Sequence, residues 1–406
     1  MKSAYGSSRG SYRSELTEVS RGTPMGELLR RYWHPIGLAA DAGRRPKQIR
    51  ALGEDLILFR DHSGRSGLLQ PRCIHRGCSL FYGRTEERGI RCCYHGWLFD
   101  VEGQCLEQPC EPGGGRGLGR FRQPGYPVRE RYGLIFAYFG PPDREPVLPR
   151  FDILESVAPG EFVEADDSSI GSGGPRIVPC NWLQHFENIM DPFHVPVLHG
   201  SFSGAQFTER MGIIPKVTFA TTPRGVRSVQ LRSLGDGKAH QRITEAVVPT
   251  IRAVADPRAM TDGSCSLLGW VLPIDDTSFR IYSAGRVTQS GALAKIRSSF
   301  NGRSWQELTA DEHQEMPGDY EAQVSQGAVT LHSEEHLVTS DRGVALLRRF
   351  LEQQIEAVRA GRDPAGVSFD PADDLVCLEA GISIVAADEA AAHSTGRGLQ
   401  RRDIPG

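Results

Sequence analysis

Two short pairs of cysteine and histidine constrain this chain more than any other feature of its sequence. Cys73 and His75 are separated by one residue, Cys92 and His95 by two, and sixteen residues lie between the pairs. This spacing suits a [2Fe–2S] cluster in which two thiolates hold one iron and two imidazoles hold the other. The pattern therefore predicts two loops that meet at one cluster.

Zinc is the alternative occupant, because zinc also binds mixed cysteine and histidine ligands. Zinc pairs more often have two cysteines close together and two histidines further on, so the observed order favours the iron–sulfur cluster, the Rieske arrangement. Respiratory-type Rieske proteins carry an additional disulfide that joins the positions of Cys78 and Tyr94. Tyrosine cannot form that bond, so the stretch resembles the Rieske domain of oxygenases and their ferredoxins.

Length and composition exclude several classes of protein. The chain has 406 residues, enough for two domains, and its net charge of -3 favours neither nucleic acid nor an anionic membrane as a partner. No apolar run approaches the roughly 18 residues of a membrane span, and the N-terminus lacks the apolar core of a signal peptide. Of the nine cysteines, two are assigned to the cluster, and the other seven are scattered along the chain, which indicates free thiols in a reducing cytoplasm.

The hydropathy pattern predicts an α+β protein with two domains. Residues 1–45 are expected to form an N-terminal arm with a short helix that begins at Pro24 and ends near Pro35. Alternating apolar residues predict a small antiparallel β domain over residues 46–140. The expected strands of this domain include 56–59, 67–69, 97–99 and 134–139.

A second domain is expected over residues 161–406, after a proline-rich linker at 141–160. Helical stretches at 181–190 and 341–360 enclose strand-like segments at 216–220, 226–232 and 266–272. This mixture predicts a larger α+β domain with an antiparallel sheet flanked by helices.

A second group of candidate metal ligands lies in this domain. Asp191 and His194 are three residues apart, and His199 follows five residues after His194. Residues five apart lie about 140° apart around an ideal α-helix, so the histidines converge only if the helix kinks or unwinds near Pro196.

Two histidines and one carboxylate on one face of an iron form the facial triad of non-haem Fe(II) oxygenases. Two histidines at this spacing are more often structural when they occur alone. Their presence in the same chain as a Rieske site favours iron.

These motifs resemble the oxygenase (α) component of Rieske non-haem iron oxygenases, in particular the phthalate dioxygenase branch. The resemblance runs from about residue 20 to 365. Ala328 and the pair Leu331–His332 depart from the usual pattern. The matching features are Thr23 to Trp33, the Asp-x2-His-x4-His motif of Asp191, His194 and His199, and a late segment with Asp319, Gln326–Gly327, Glu335–His336–Leu337 and Ser340–Asp341.

The resemblance implies a helix-grip (START-like) catalytic domain, in which His194, His199 and Asp319 hold the mononuclear iron. It also implies a head-to-tail homo-oligomer, a trimer or stacked trimers. In such a ring Asp191 connects the iron of one subunit to His95 on the cluster of its neighbour.

The implied activity is oxidation of an aromatic compound with O2. Electrons would come from NAD(P)H through a separate flavin and iron–sulfur reductase, with or without a ferredoxin, because the chain has no nucleotide-binding fingerprint. The substrate would be an aromatic acid or a methoxylated aromatic, and the reaction hydroxylation, cis-dihydroxylation or oxidative O-demethylation. The competing hypothesis is a Rieske electron carrier without oxygenase activity.

Three arginines are candidates for substrate binding, since a guanidinium can hold a carboxylate through two hydrogen bonds. Arg210, Arg224 and Arg227 follow the histidine pair in the chain. Solvated surface arginine is the more common fate of such residues.

Overall fold

The structure is a computed structural model of the chain. It describes residues 10–386 except 168–173, 204–206, 257–262, 296–299 and 301–302. Within these residues, none of the helices combines the length and apolar character that a membrane crossing requires.

Short antiparallel strands make up the first part of the chain. They form one three-stranded sheet and two four-stranded sheets. The strands are β1 (Trp33–Leu38), β2 (Lys47–Ala51), β3 (Glu54–Arg60), β4 (Ser66–Leu69), β5 (Arg84–Glu86), β6 (Gly89–Arg91), β7 (Leu98–Phe99), β8 (Cys105–Glu107), β9 (Gly125–Tyr126), β10 (Val128–Arg131) and β11 (Leu134–Tyr138).

The second part of the chain is built on a nine-stranded sheet whose strand pairs are antiparallel. A separate parallel pair joins two further short strands. The strands are β12 (Arg150–Phe151), β13 (Phe162–Asp166), β14 (Lys216–Thr222), β15 (Gly225–Gly235), β16 (Lys238–Val247), β17 (Ile251–Val254), β18 (Gly263–Ser264), β19 (Leu267–Asp275), β20 (Ser278–Val287), β21 (Leu375–Val376) and β22 (Gly381–Ala386).

Most helices are short, and the longest covers the large sheet by packing on β14 and β15. The helices are α1 (Ser14–Thr17), α2 (Pro24–Leu29), α3 (Asp152–Glu155), α4 (Trp182–Asn188), α5 (Ala292–Lys295), α6 (Ala310–Glu315), α7 (Asp319–Val324) and α8 (Arg342–Arg359), together with a π-helix at Val195–Phe202.

The fold class predicted from the sequence is confirmed, because antiparallel β sheets precede a larger mixed domain of sheet and helices. The N-terminal helix is shorter than expected. It begins at Pro24 as predicted but ends at Leu29, because the chain from Trp33 pairs as an edge strand with β11. His34 in this strand is fully buried, and its Nε2 lies 2.8 Å from the carbonyl oxygen of Leu29.

The buried apolar residues form two hydrophobic cores. The larger core joins the N-terminal arm, β1 and β11 to the nine-stranded sheet, and its largest fully buried side chains include Trp182 and Trp270. The smaller core is formed around Phe59 and Phe99, and it contains Cys73 and Cys92. The two cysteines predicted to bind the cluster therefore belong to the same packing unit.

An arginine on α8 ties that helix to α4. The guanidinium of Arg348 donates two hydrogen bonds to Glu187, at 2.6 and 2.7 Å, and two to Glu335, at 2.5 and 2.8 Å. Arg348 and Glu187 are both largely buried. A buried carboxylate that loses such a partner is strongly destabilised.

We expect Arg348→Met to lower the free energy of unfolding by about 3 kcal/mol, because Glu187 would remain buried without its cation. Urea unfolding followed by circular dichroism measures the change. The matched control is Arg359→Met on the same helix, where an exposed pair with Glu356 contributes at most about 0.5 kcal/mol. Equal losses in the two variants would contradict the prediction.

Candidate metal centres

Two matching turns carry the residues predicted to bind the cluster. In the first turn, the N–H of Cys73 donates to the carbonyl of Cys78 and the N–H of Gly77 to that of Cys73. The second repeats this pattern from Cys92 to Trp97, through Gly96. Both glycines have positive φ, 77° and 71°, a conformation that glycine adopts at little cost.

The turns bring the two predicted histidine ligands together. The rings of His75 and His95 lie 4.5 Å apart, and the indole of Trp97 stacks on His75 at 4.7 Å. Among the described residues, the buried Nδ1 of His75 has no hydrogen-bond partner. A buried nitrogen without a partner is costly in a protein interior, so this atom fits the role of a metal ligand.

The two predicted thiolate ligands are almost completely buried. Burial, with the neighbouring Cys92, raises the pKa of the Cys73 thiol. A coordinated metal ion reverses this preference, because a thiol bound to a metal is deprotonated. The chemistry of the four side chains therefore fits a [2Fe–2S] cluster.

Two sulfurs lie close together beside the cluster turns, a contact that was not anticipated from the sequence. The sulfur of Cys78 lies 3.6 Å from that of Cys93, and both residues are free thiols. Tyr94, not Cys93, stands at the position that carries the partner cysteine in respiratory-type Rieske proteins. Cys93 is one residue earlier and lies in the opposing turn.

A π-helix explains how the second pair of histidines converges. His194 immediately precedes this helix, and Pro196 is its second residue, where proline is tolerated. A π-helix forms hydrogen bonds between residues five apart, as the N–H of Ser203 does with the carbonyl of Leu198 at 3.3 Å. The change of winding expected near Pro196 is thus a π-helix, whose turns are wider than those of an α-helix. This geometry places the ring of His199 5.4 Å from that of His194.

Asp319 completes a group of three side chains that could hold one metal ion. Its Oδ1 lies 3.6 Å from Nε2 of His194 and 3.3 Å from Nε2 of His199. One ligand atom from each residue lies within 4.8 Å of the other two. Nδ1 of His194 faces the backbone carbonyl of Asp191, so Nε2 is the ring nitrogen left to face the group.

The electrostatics of Asp319 favour its charged form. Burial acts to raise the pKa of this carboxyl group, but the imidazoles of His199 and His194 lower it, and the net shift is downward. A carboxylate that stays ionised next to two imidazoles fits a divalent cation.

Helix α4 holds α7, and with it Asp319, in position. The amide of Gln184 donates to the carbonyl of Gln323 at 2.9 Å, and Nδ1 of His185 lies 3.0 Å from Oε1 of Gln323. Burial and the nearby Arg252 lower the pKa of His185 to about 3, so this imidazole is neutral.

Asn188 at the end of α4 was not anticipated from the sequence. Its Nδ2 lies 3.4 Å from Nε2 of His194 and 3.3 Å from Oδ1 of Asp319, inside the group of candidate ligands. Its only signal in the sequence is its position three residues before Asp191, one helical turn away.

Asp191 lies beside the group rather than in it. Its Oδ1 accepts hydrogen bonds from the N–H groups of Phe193, at 3.0 Å, and His194, at 3.3 Å. Its Oδ2 lies 3.6 Å from Nδ1 of His194, and about a third of the side chain is exposed. The carboxylate therefore stabilises the turn before the π-helix and also faces solvent.

The three arginines proposed for substrate binding are dispersed. Arg210 belongs to a short 3-10 helix, Glu209–Gly212, that contacts the π-helix. Arg224 donates to the carbonyl of Gly366 at 3.0 Å, and Arg227 on β15 pairs with Glu379. Their role in substrate binding stays a prediction.

The chain combines a β domain whose turns fit a [2Fe–2S] cluster with two histidines and a carboxylate whose ligand atoms lie close together. This combination is typical of an iron-dependent redox protein. Residues 32–126 match the model of the Rieske [2Fe-2S] domain. The chain is also similar to Phenoxybenzoate dioxygenase subunit alpha from Ectopseudomonas oleovorans, with 52% identity over 95% of each chain. It is 28% identical to the Phthalate 4,5-dioxygenase oxygenase subunit of Pseudomonas putida over 89% of each.

The fold is likewise shared with a solved structure, that of the Pseudomonas putida CBB5 NdmA QL mutant with caffeine. The TM-score is 0.60 at 18% identity, over 83% of this chain and 94% of the other. The chain belongs to the Rieske non-haem iron oxygenases and is an oxygenase (α) component, as its motifs predicted. The protein is therefore an enzyme that uses a Rieske [2Fe–2S] cluster and a mononuclear non-haem iron.

We expect Gly96→Ala to reduce the amount of cluster bound. Any side chain at this positive φ costs about 1 kcal/mol, and the added carbon would lie 2.7 Å from Cγ of Pro109. Iron and acid-labile sulfide per chain measure the effect. Gly64→Ala is the control, because it has φ of +90° but open space around it. Full cluster content in Gly96→Ala would refute the expectation.

Proposed function

We propose that Cys73, His75, Cys92 and His95 bind the Rieske cluster. The matching hydrogen bonds of the two turns support this assignment, as does the buried Nδ1 of His75. When bound, the cluster carries single electrons at a potential that its imidazole ligands raise.

We propose further that His194, His199 and Asp319 bind the mononuclear iron, which activates O2 beside the substrate. The observation that carries this assignment is the meeting of the three ligand atoms within 4.8 Å. Two hydrogen bonds support it. The contact of His194 Nδ1 with the carbonyl of Asp191 orients the His194 ring, and the bond from Gln184 to Gln323 holds the helix that carries Asp319. Asn188 is positioned to hold an Asp319 oxygen in place.

The reaction we propose is oxidation of an aromatic acid or methoxylated aromatic. The electron donor is proposed to be a separate NAD(P)H-dependent reductase. The relative named Phenoxybenzoate dioxygenase subunit alpha makes phenoxybenzoate the first compound to test. The proposed location is the cytoplasm, since a chain with nine cysteines suits a reducing compartment.

The test of this function is exposure of the reduced protein to O2 in the presence of one compound at a time. Mass spectrometry of the products separates the outcomes: two added oxygens indicate dihydroxylation, one indicates monohydroxylation, and formaldehyde indicates O-demethylation. The absence of oxidised product from every aromatic acid and aryl methyl ether would contradict the proposal.

We also propose a head-to-tail ring, in which the cluster of one subunit approaches the iron of the next. Large apolar side chains are exposed at both places, a pattern typical of interaction surfaces. Tyr82 and Tyr94 are 70% and 58% exposed near the cluster, and Val197 and Phe202 are 56% and 67% exposed on the π-helix. The partly exposed carboxylate of Asp191 would then accept an N–H from His95 of the neighbouring chain.

We expect Asp319→Ala to lower the iron content from about three to about two per chain and to abolish turnover, because only the mononuclear iron loses a ligand. Elemental analysis and the absorption of the cluster measure the two centres separately. Asp311→Ala, which removes an exposed acid from neighbouring α6, should retain all the iron. A wild-type preparation with about two irons per chain would instead favour the electron carrier.

We expect Asp191→Asn to lose turnover while both metals stay bound. Asparagine keeps one oxygen to cap the turn at Phe193 and His194, but it lacks a second acceptor for His95 of the neighbouring chain. Rapid mixing of reduced protein with O2 and substrate measures oxidation of the cluster directly. Normal cluster oxidation in this variant would show that Asp191 only caps the turn.

A further inference from the structure

Two cysteines that are not proposed as cluster ligands lie in the two cluster turns. Cys78 ends the first turn, where its carbonyl accepts the N–H of Cys73 at 2.9 Å. Cys93 directly follows Cys92 in the second turn. The sulfurs of Cys78 and Cys93 are 3.6 Å apart, a separation at which unbonded atoms are in contact. Each turn thus contributes one thiol to a close pair.

A β-hairpin holds the two cysteines near each other. Fourteen residues separate Cys78 from Cys93, and they include the antiparallel strands β5 and β6, in which Arg84 pairs with Arg91. The guanidinium of Arg91 also donates to the carbonyl of Gly96 at 2.6 Å, so it ties the second turn to the hairpin. The proximity of the two sulfurs therefore follows from the pairing of these strands.

The pair is accessible from solvent, whereas the proposed thiolate ligands are not. Cys93 is exposed and Cys78 is partly exposed, but Cys73 and Cys92 are buried. The thiol of Cys92 also lies next to that of Cys78. In the cluster-loaded protein the sulfur of Cys92 is bound to iron, because a thiolate is the form that binds metal. Cys93 is then the thiol available to Cys78.

We propose that Cys78 and Cys93 form a reversible disulfide that joins the two turns while the cluster is bound. This inference goes beyond the proposed oxygenase reaction and uses only its assignment of the cluster ligands. A disulfide bond is about 2 Å long, so the two sulfurs must approach each other by rotation of their side chains. Cys93 is exposed and can rotate without displacing buried groups.

The oxidant that suits this pair is a low-molecular-weight disulfide, such as oxidised glutathione. The exposed thiolate of Cys93 attacks one sulfur of the oxidant, breaks its S–S bond and releases one glutathione. Cys78 then attacks the Cys93 sulfur of the mixed disulfide, and the second glutathione leaves. In total the two cysteines lose two electrons and two protons, and the oxidant gains them as two molecules of reduced glutathione.

The disulfide limits how far one turn can move from the other. Under the proposed assignment each turn supplies one thiolate and one imidazole, so release of the cluster requires the turns to separate. A cross-link restricts an open state more than a closed one, so the oxidised protein should lose its cluster more slowly. Disulfides in a reducing cytoplasm are usually transient, so this bond forms when the thiol pool becomes oxidised.

The test treats the cluster-loaded protein anaerobically with oxidised glutathione. Alkylation of the remaining thiols and peptide mapping by mass spectrometry without reductant then identify the bond. We expect the peptides of Cys78 and Cys93 to be joined, and to separate after addition of dithiothreitol. The rate at which an iron chelator bleaches the visible absorption of the cluster should fall about threefold or more after oxidation.

Cys78→Ser separates the two chemical steps, because Cys93 can still react but has no thiol to displace the glutathione. We expect this variant to retain glutathione on Cys93, and Cys93→Ser to form no cross-link. In both variants the oxidant should leave the rate of cluster loss unchanged. Cys377→Ser removes an exposed thiol of the catalytic domain and is the matched control, which should form the cross-link as the wild type does.

Iron and acid-labile sulfide are measured before oxidation, so that the cluster ligands are tested separately from the disulfide. A wild type that holds its cluster but forms no bond between Cys78 and Cys93 would overturn the inference and leave the proposed function intact. Glutathione that stays on Cys93 of the wild type, a bond from Cys78 to Cys92 with loss of the cluster, or an unchanged rate of cluster loss would overturn it too. A wild type that binds no cluster would contradict both proposals.

Discussion

The meeting of His194, His199 and Asp319 at one point is the constraint on which the rest of the catalytic domain depends. Two of the residues are five apart, and the third comes 120 residues later in the chain. The π-helix solves the local part of this problem, because it brings residues five apart to one side. The long-range part depends on α4, which holds α7 through Gln323.

The surroundings of this point are polar, although they lie inside the protein. His185 is neutral and contacts both Arg252 and Gln323, so it connects the sheet to α7 without adding charge. Arg348 joins α8 to α4 from the other side through Glu187. Buried hydrogen-bonded networks of this kind restrict the positions of their side chains. Rigid placement of ligands is what a metal site with open positions requires.

Local features of both candidate metal sites could be predicted because Cys73 and His75, Cys92 and His95, and His194 and His199 are each close together in the sequence. The turns at Cys73 and Cys92 need only a few residues and one glycine each, so spacing alone indicated them. Long-range pairing could not be deduced in this way. Helix α2 ends at Leu29 because the following strand, β1, pairs with β11 almost 100 residues later in the chain. Pairing with a distant strand here outweighs the helical spacing of apolar residues that predicted a longer helix. A change of winding near Pro196 was predicted from the spacing of the histidines, but the spacing did not indicate that it takes the form of a π-helix.

The arginines of β15 illustrate the same limit. Arg227 and Arg232 both follow the histidine pair, so nearness in the sequence does not distinguish them. They are five residues apart in β15, however, and side chains alternate between the two faces of a strand. Arg227 therefore meets Glu379 on one face, while Arg232 is buried on the other face, from which Arg252 contacts His185 on α4. Strand register, which the sequence alone did not define, decides on which face of the sheet each arginine lies and which groups it contacts.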